Sequence, residues 1–331
     1  RQLALGPRSR GQLERKLAER QAEPELIERD SDYEGAAPSE AEVRGRSPWA
    51  DARRRFFRNR AAMLGLTILV LVSLFAIFGG YLAQWSNEEL DFSVMGQVAQ
   101  MGQPSLENGH FFGTDNLGRD LYARVVQGTR ISLMVGVVGA AIAVVVGTLY
   151  GATAGYVGGR TDQIMMRTVD ILMSIPYMFV LILLLVMFGR SMSMLFLGIG
   201  LISWLDMSRI VRGQTLSLKN REFIEAARAT GVSSFRIIIR HIVPNLLGVV
   251  AVYATLLVPL MILTESFISF LGLGVQEPLT SWGALISEGA GTMNYGTLWQ
   301  LAFPLFFFVI TLFGFFFVGD GLRDALDPKE R

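Results

Sequence analysis

Six uniformly apolar runs divide this chain, and the polar residues are gathered into the stretches between them. The runs cover about Ala61–Ala83, Ile131–Tyr156, Ile164–Phe188, Met194–Val211, Asn245–Leu271 and Leu301–Val318. At about 1.5 Å per helical residue, each is long enough to cross a hydrocarbon core of roughly 30 Å. A spanning segment must satisfy its backbone internally, so runs of this length and apolarity predict helices. The pattern predicts an all-α membrane protein with six transmembrane helices. Its divisions are a tail over 1–60, a first helix over 61–83, a polar loop over 84–127, a core over 128–319 and a tail over 320–331.

Within the second run, Gly139, Gly147, Gly151 and Gly155 fall at multiples of four. They put small residues on one helix face, which suits close packing against a neighbour. Pro176 is expected to kink the third run and Pro259 lies inside the fifth. Gly158 to Asp162 reads as a tight turn. Three acids lie in or near the runs. Asp170 has Arg167 three residues before it, and Asp206 has Arg209 three residues after it, so both are expected to pair locally. Glu265 lies about twenty residues into the fifth run, roughly 30 Å along its axis. It is expected near the outer surface, facing either a translocation path or the lipid headgroups. Asp206 and Glu265 are the candidates for path or gating roles, since an intramembrane acid is a functional candidate by default.

Charge sets the orientation. Residues 44–60 carry seven arginines and one acid, Asp51, directly before the first run. By the positive-inside rule that end is cytoplasmic, and Phe56 and Phe57 belong beside the arginines at the membrane lipid interface. Asp206 to Pro244 holds seven Arg and Lys against three acids, so this loop is inside as well. Six crossings then put both termini in the cytoplasm. Residues 1–60 contain no apolar stretch of the kind a cleaved signal needs, and residues 1–48, with four prolines and mixed charges, read as a flexible tail in which Glu14–Arg29 could form a loose helix.

Composition narrows the chemistry. The chain has 331 residues, 51% of them hydrophobic and only 18% charged, where a soluble domain carries about 25% charged residues. A net charge of +1 gives no basic field for nucleic acid. The absence of cysteine excludes disulfides, thiolate metal sites and thiol nucleophiles. Gly113 and Gly118 have P-loop spacing, but Arg119-Asp120 stands where Lys-Ser/Thr is required. No catalytic centre, metal signature or cofactor site is evident in the chain.

The most informative polar stretch is Lys219 to Pro244. Asn220 is a candidate N-cap, and Glu222 and Glu225 suit the first turn of a short helix. Ala226 and Ala227 favour the helix and leave a face without bulk, and Gly231 follows as a left-handed C-cap. Ser233 starts a second helix, Phe235 to His241, expected to end ahead of Pro244. These residues resemble the EAA loop of ABC-importer permeases: Glu225-Ala226-Ala227, three residues, Gly231, then Pro244. His241 and Val243 depart from that pattern before the proline.

A second resemblance lies at Phe112 to Tyr122, which contains Gly-Thr-Asp-x-x-Gly-Arg-Asp. It is similar to the dipeptide/oligopeptide branch of these permeases, as are Ser203–Asp206, Arg212–Lys219, Ser269–Gly274 and Gly319–Pro328. From the residues themselves, Asp115, Arg119, Asp120 and Arg124 can pair around a glycine-rich turn, and gating or docking of a delivery protein is the other use open to them. The resemblance covers roughly residues 45–331 and is closest to C-type oligopeptide permease subunits. It implies a type I ABC importer transmembrane domain with an extra N-terminal helix. It also implies a homologous second permease subunit, two ATPase subunits that bind ATP and magnesium, and an extracytoplasmic peptide-binding protein. Glu222, Glu225, Ala226, Ala227, Gly231 and Pro244 would then couple the chain to an ATPase. A dipeptide or nickel permease shares these motifs, and a secondary transporter is the alternative from a different class.

Overall fold

A computed structural model of the chain describes residues 48–326. Glu14–Arg29, Ser39 and Pro328 lie outside the described residues. Among the described residues the architecture is all-helical, with two isolated bridges, Leu90 with Arg119 and Thr114 with Asp120, in place of any sheet.

A short amphipathic helix, α1 (Pro48–Arg58), brings Arg53, Arg54, Arg55 and Arg58 to the foot of the first long helix, α2 (Arg60–Leu82). Asn59 starts α2, its side chain accepting from the amides of Ala61 at 3.0 Å and Ala62 at 3.1 Å. A polar loop with one short turn, α3 (Val98–Met101), leads to α4 (Leu121–Val157). Helix α4 begins ten residues before the apolar run suggests. Asp120 caps it by accepting from Ala123 N at 2.8 Å, so the polar residues Arg124 to Arg130 already belong to the helix.

Helices α5 (Gly159–Ser174) and α6 (Tyr177–Phe188) replace the single third span and meet at 78° around Pro176. Proline cannot donate the helical hydrogen bond, and here the chain breaks instead of kinking. The expected five-residue turn shrinks to Gly158 and Gly159, whose φ angles of 69° and 57° suit residues without Cβ. Helix α7 (Met192–Leu218) follows, capped by Ser191. Its contact with α4 fixes the path of the chain. Gly139 faces Ile199, Gly147 faces Met207, Gly151 faces Ser208 and Gly155 faces Thr215. Residue numbers rise together on both helices, so α4 and α7 run parallel. The chain must therefore recross between them, and α5 with α6 makes that crossing as a broken span.

Three further helices complete the bundle: α10 (Val243–Phe270), α11 (Trp282–Thr292) and α12 (Trp299–Leu326). Arg190, at the start of α7, donates to the Gly272 carbonyl at 3.1 Å, so the far end of α10 lies at the same end as the start of α7. Five long apolar helices and one broken span thus give six crossings. A Cβ on Gly248 would lie 3.8 Å from Leu326 and 4.0 Å from Trp49, which puts the first and last described helices at one end. We call this the basic end and the opposite one the loop end. Helix α12 continues to Leu326, so the expected tail over 320–331 is helical as far as Leu326.

The glycine stripe on α4 works as the pattern suggests. A Cβ on Gly147 would fall 2.6 Å from Met207, and one on Gly151 would strike the Ser208 carbonyl. Val135, Ala143, Leu181, Leu185, Leu195, Ile199, Ile262 and Trp282 form the buried centre. Phe112 stacks on Phe303 with centroids 4.1 Å apart, and Phe75 stacks on Phe307 at 4.4 Å, which ties the loop to α2 and α12.

Candidate functional site

At the basic end, α8 (Glu222–Ala229) lies across the bundle between α7 and a short turn, α9 (Ser234–Ile237). Glu222 and Glu225 occupy its first turn as expected. The N-cap is Arg221, not Asn220, and its side chain makes no capping bond. Lys219 keeps helical geometry after α7, and Arg221 N bonds Leu218 O at 3.0 Å, so the turn is complete one residue later than the capping preference indicates. Gly231 ends the helix at φ 77°, its amide bonding Arg228 O at 2.9 Å while Val232 N reaches Ala227 O at 3.1 Å. That is the predicted left-handed cap.

The two alanines part company. Ala227 and Ile224 are buried against Ala152 and Tyr156 of α4 and Met207 and Val211 of α7. Ala226 is exposed, together with Glu222, Phe223 and Glu225. Helical geometry explains this, since neighbours in sequence sit about 100° apart around the axis. Only one alanine can therefore lie in a flat outer face. Phe223, on that face, and Phe235, on α9, are 43% and 75% exposed and were not singled out by the sequence pattern. Arg228 closes the inner side, with its Nε 3.2 Å from the Tyr156 hydroxyl and its guanidinium over the ring. Lys219 donates to Gly155 O at 3.2 Å.

The second helix does not stop ahead of Pro244. From Ser234 the chain is helical without a break to Phe270, with a π-helical turn at Ile238–Ile242. The wider turn lets Pro244 sit in the first turn of α10, where its missing N–H is tolerated. Asn245 Nδ2 donates to His241 O at 2.6 Å beside it. The continuous helical path thus runs from α9 into α10, and α8 joins it through the short turn over 230–233 that the Gly231 cap fixes.

Of the two acids predicted to pair locally, Asp170 pairs across helices instead and Asp206 does not pair among the described residues. Arg209 of α7 bonds Asp170 of α5 at 2.5 Å, so neither the Asp170–Arg167 nor the Asp206–Arg209 pair forms. Arg212 grips Asp162 with two bonds of 2.5 and 2.6 Å. Asp206 is exposed and has no hydrogen-bond partner among the described residues. Glu265 faces neither headgroups nor an open path. It is fully buried, with Ser269 donating at 2.6 Å and Ser132 at 3.1 Å.

At the loop end, Gly113 and Gly118 adopt φ 80° and 78° and frame the turn between them. Asp115 is 5% exposed and accepts from Arg119 and Arg124, each at 2.6 Å. Arg124 forks onto Glu288 at 2.6 and 3.0 Å, and Arg119 reaches Glu277 at 2.8 Å. Asp120 is buried beside His110 at 2.9 Å and does not join the arginines. Burial raises the Asp120 carboxyl above its ordinary pKa. Asp115 and Asp120 thus hold the loop in shape and present no surface, while Glu277 is exposed.

Two family models match the chain. One, described as the binding-protein-dependent transport system inner membrane component, covers residues 143–331. The other, the N-terminal TM domain of oligopeptide transport permease C, covers residues 47–99. The chain is 60% identical over 290 residues to the oligopeptide transport system permease protein OppC of Escherichia coli K12, spanning 88% of this chain and 94% of that protein. It is 54% identical over 292 residues to OppC of Haemophilus influenzae, spanning 88% and 92%. The dipeptide transport system permease protein DppC of Bacillus subtilis is 44% identical over 281 residues, spanning 85% and 86%.

Proposed function

The chain belongs to the binding-protein-dependent transport system inner membrane components, the permeases of ABC importers, and from that membership we propose that it is the C-type permease subunit of an oligopeptide importer. It is a multi-pass inner membrane protein whose basic end faces the cytoplasm. It forms one half of the translocation path with a homologous permease. Two ATPase subunits bind ATP and magnesium, and an extracytoplasmic binding protein delivers the peptide. Higher identity to the oligopeptide permeases than to the dipeptide permease favours the longer substrate.

The observation that carries this reading is the division of α8 into two faces. Ile224 and Ala227 anchor it to α4 and α7, while Glu222, Phe223, Glu225 and Ala226 face outward. An outer face with one small residue and an exposed aromatic side chain fits a groove on an ATPase. When the ATPases close, α8 moves as a rigid piece. The capped turn over 230–233 and the continuous α9–α10 helix beyond it carry the motion into α10, and Ile224, Ala227 and Lys219 carry it into α7 and α4. No peptide bond is broken and no phosphate is held by this chain. Asp206, exposed on α7 beside that lever, is the candidate path residue.

Reconstitution tests the proposal. The chain alone in vesicles should neither hydrolyse ATP nor accumulate peptide under a proton or sodium gradient. With its partner permease and ATPases it should support ATP hydrolysis stimulated by the peptide-loaded binding protein. Gradient-driven uptake by the chain alone would restore the secondary-transporter alternative.

A further inference from the structure

Near the loop end, α2 and α4 part to leave an open groove of about 850 Å³. Its walls are Ile77, Gly80 and Tyr81 on one side and Leu133, Met134 and Val137 on the other, with Arg130 among them. Arg130 is exposed, and its hydrogen bonds among the described residues go to the backbone carbonyls of Ala76 and Ile77, the latter at 3.3 Å. Neither carbonyl carries a net charge, and among the described residues no carboxylate pairs with this arginine, whereas Arg119 and Arg124 each have two or more. A guanidinium has five N–H donors, so most of its donating capacity and its whole charge remain unmatched. Ala76 and Ile77 lie roughly 8–9 Å along the axis from the end of α2 at Leu82, within one leaflet of a core about 30 Å thick. Charges at that depth are expensive and are normally paired or turned toward the headgroups.

We propose that this groove binds one phospholipid of the outer leaflet, its phosphate on Arg130 and one acyl chain between α2 and α4. The chemistry on the page selects that occupant. A phosphodiester supplies the missing anion, and its two non-bridging oxygens suit bidentate binding by the planar guanidinium. The apolar walls below the arginine suit a hydrocarbon chain. Gly80 keeps the site open, because a Cβ there would stand 3.0 Å from Arg130 Nη2 and crowd the approaching phosphate. Tyr81, 85% exposed at the rim, is an amphipathic residue at headgroup level. The bound lipid would complete the packing of the N-terminal helix α2 against α4.

Photolabelling of the full-length chain in native membrane vesicles tests this. The probe is phosphatidylglycerol with a diazirine midway along one acyl chain, and a diazirine-bearing fatty alcohol without phosphate is the control. Labelling by the phospholipid should concentrate in peptides covering 73–81 and 130–138. Arg130→Gln should lower it at least five-fold and leave labelling by the alcohol unchanged. Val137→Trp fills the groove without touching the Arg130 bonds to α2, and should lower labelling by both probes, so a folding defect in the glutamine variant does not decide the matter. Equal phospholipid labelling in the native chain and in both variants would mean ordinary boundary lipid and would overturn the proposal. So would a cross-link from residue 134 or 137 to another protein subunit, which would show that a polypeptide fills the groove.

Discussion

Ser132 donates its hydroxyl to Glu265 at 3.1 Å across 133 positions of sequence, joining α4 to α10 inside the bundle. The same Ser132 oxygen accepts from Trp282 N at 3.1 Å, and Ser269, which also binds Glu265, accepts from Val275 N at 3.2 Å. One carboxyl group therefore organises two helices and the segment leading into α11. Buried polar networks of this kind fix a unique arrangement when every member is satisfied, and are costly when one is removed.

Glu265→Ala should be strongly destabilising, because it leaves a cavity and several buried hydroxyls without their acceptor, at a cost on the order of 2–4 kcal/mol. Glu265→Gln keeps the shape and one acceptor oxygen and should cost much less. Thermal unfolding of the purified protein, followed by tryptophan fluorescence, measures both. Equal midpoints for the alanine variant and the native chain would show that Glu265 does not organise the loop end.

At Gly231 nothing lies within 4 Å of a built Cβ, so any penalty there comes from the backbone alone. With φ at 77°, Gly231→Val forces a β-branched residue into the left-handed region, at about 1 kcal/mol or more. Gly231→Asn should be milder, since asparagine visits that region. Membrane insertion should be normal in both, and transport by the reconstituted importer should fall in the order Gly, Asn, Val. Full transport by the valine variant would show that the end of α8 need not be fixed.

What could be read in the sequence was local. Gly231, the glycines of the 113–118 turn and the packing stripe on α4 announce themselves through spacing and through the conformations only glycine accepts easily. The charges did not. Asp170, Asp206 and Glu265 each had an obvious neighbour or surface in sequence, yet Arg209 chose a carboxylate 39 residues away, and Glu265 is buried between Ser269 of its own helix and Ser132 of α4. The geometry of the bundle outweighs i,i+3 pairs worth only a few tenths of a kcal/mol. The π-turn before Pro244 was hidden for a similar reason: packing of Ile238 and Ile242 into the bundle carries the helix through a residue that usually stops one.

The loop end should respond to acid in two opposed steps. Asp91 is held below its ordinary pKa, chiefly by the Ser93 hydroxyl and with help from His110. Its contribution is present above the usual carboxylate value of about 4 and is lost as pH falls through its lower folded value. Asp120 is raised by burial, so its ionised form opposes folding and that penalty disappears as pH falls through its higher folded value. Amide hydrogen-exchange protection over residues 86–120, corrected for the pH dependence of intrinsic exchange, should therefore rise slightly in weak acid and then fall. Asp120→Asn, which keeps a capping side chain, should abolish the first change, and Asp91→Asn should blunt the second. His110 faces both carboxylates and Trp85 stacks on it at 4.7 Å, so the variants should be compared at matched pH. Protection that only falls from neutral pH downward, equally in all three proteins, would refute the assignment.

Orientation is checked by thiol labelling, which the absence of native cysteine makes clean. Ser217, at the end of α7, and Asn294, in the turn before α12, are both exposed. Arg190 sets the start of α7 at the loop end, so Ser217 lies at the opposite one, while Glu288 on Arg124 and Gln300 on the Thr114 carbonyl at 2.9 Å hold Asn294 at the loop end. A cysteine at Asn294 should react with an impermeant maleimide in spheroplasts. One at Ser217 should react only after the membrane is permeabilised. Reaction at Ser217 from outside would invert the arginine-based orientation.

The final test separates the anchoring face of α8 from its docking face. Ala227 is packed beside Ile224 against α4 and α7, and Ala226, one residue earlier, is exposed. Ala227→Glu drives a carboxylate into an apolar contact, which costs several kcal/mol. It should lower the thermal midpoint of the permease on its own. Ala226→Glu places the same charge on the open outer face that carries Phe223, where a substitution usually shifts stability by no more than about 0.5 kcal/mol. Its thermal midpoint should match the native chain, yet co-purification with the ATPase subunits and the stimulated ATP hydrolysis should fall at least ten-fold. Measuring stability and ATPase retention on both variants gives a two-by-two comparison. If Ala226→Glu retained the ATPases and their stimulation in full, the outward face of α8 would not be where the motor grips this subunit, however well its inner face is anchored.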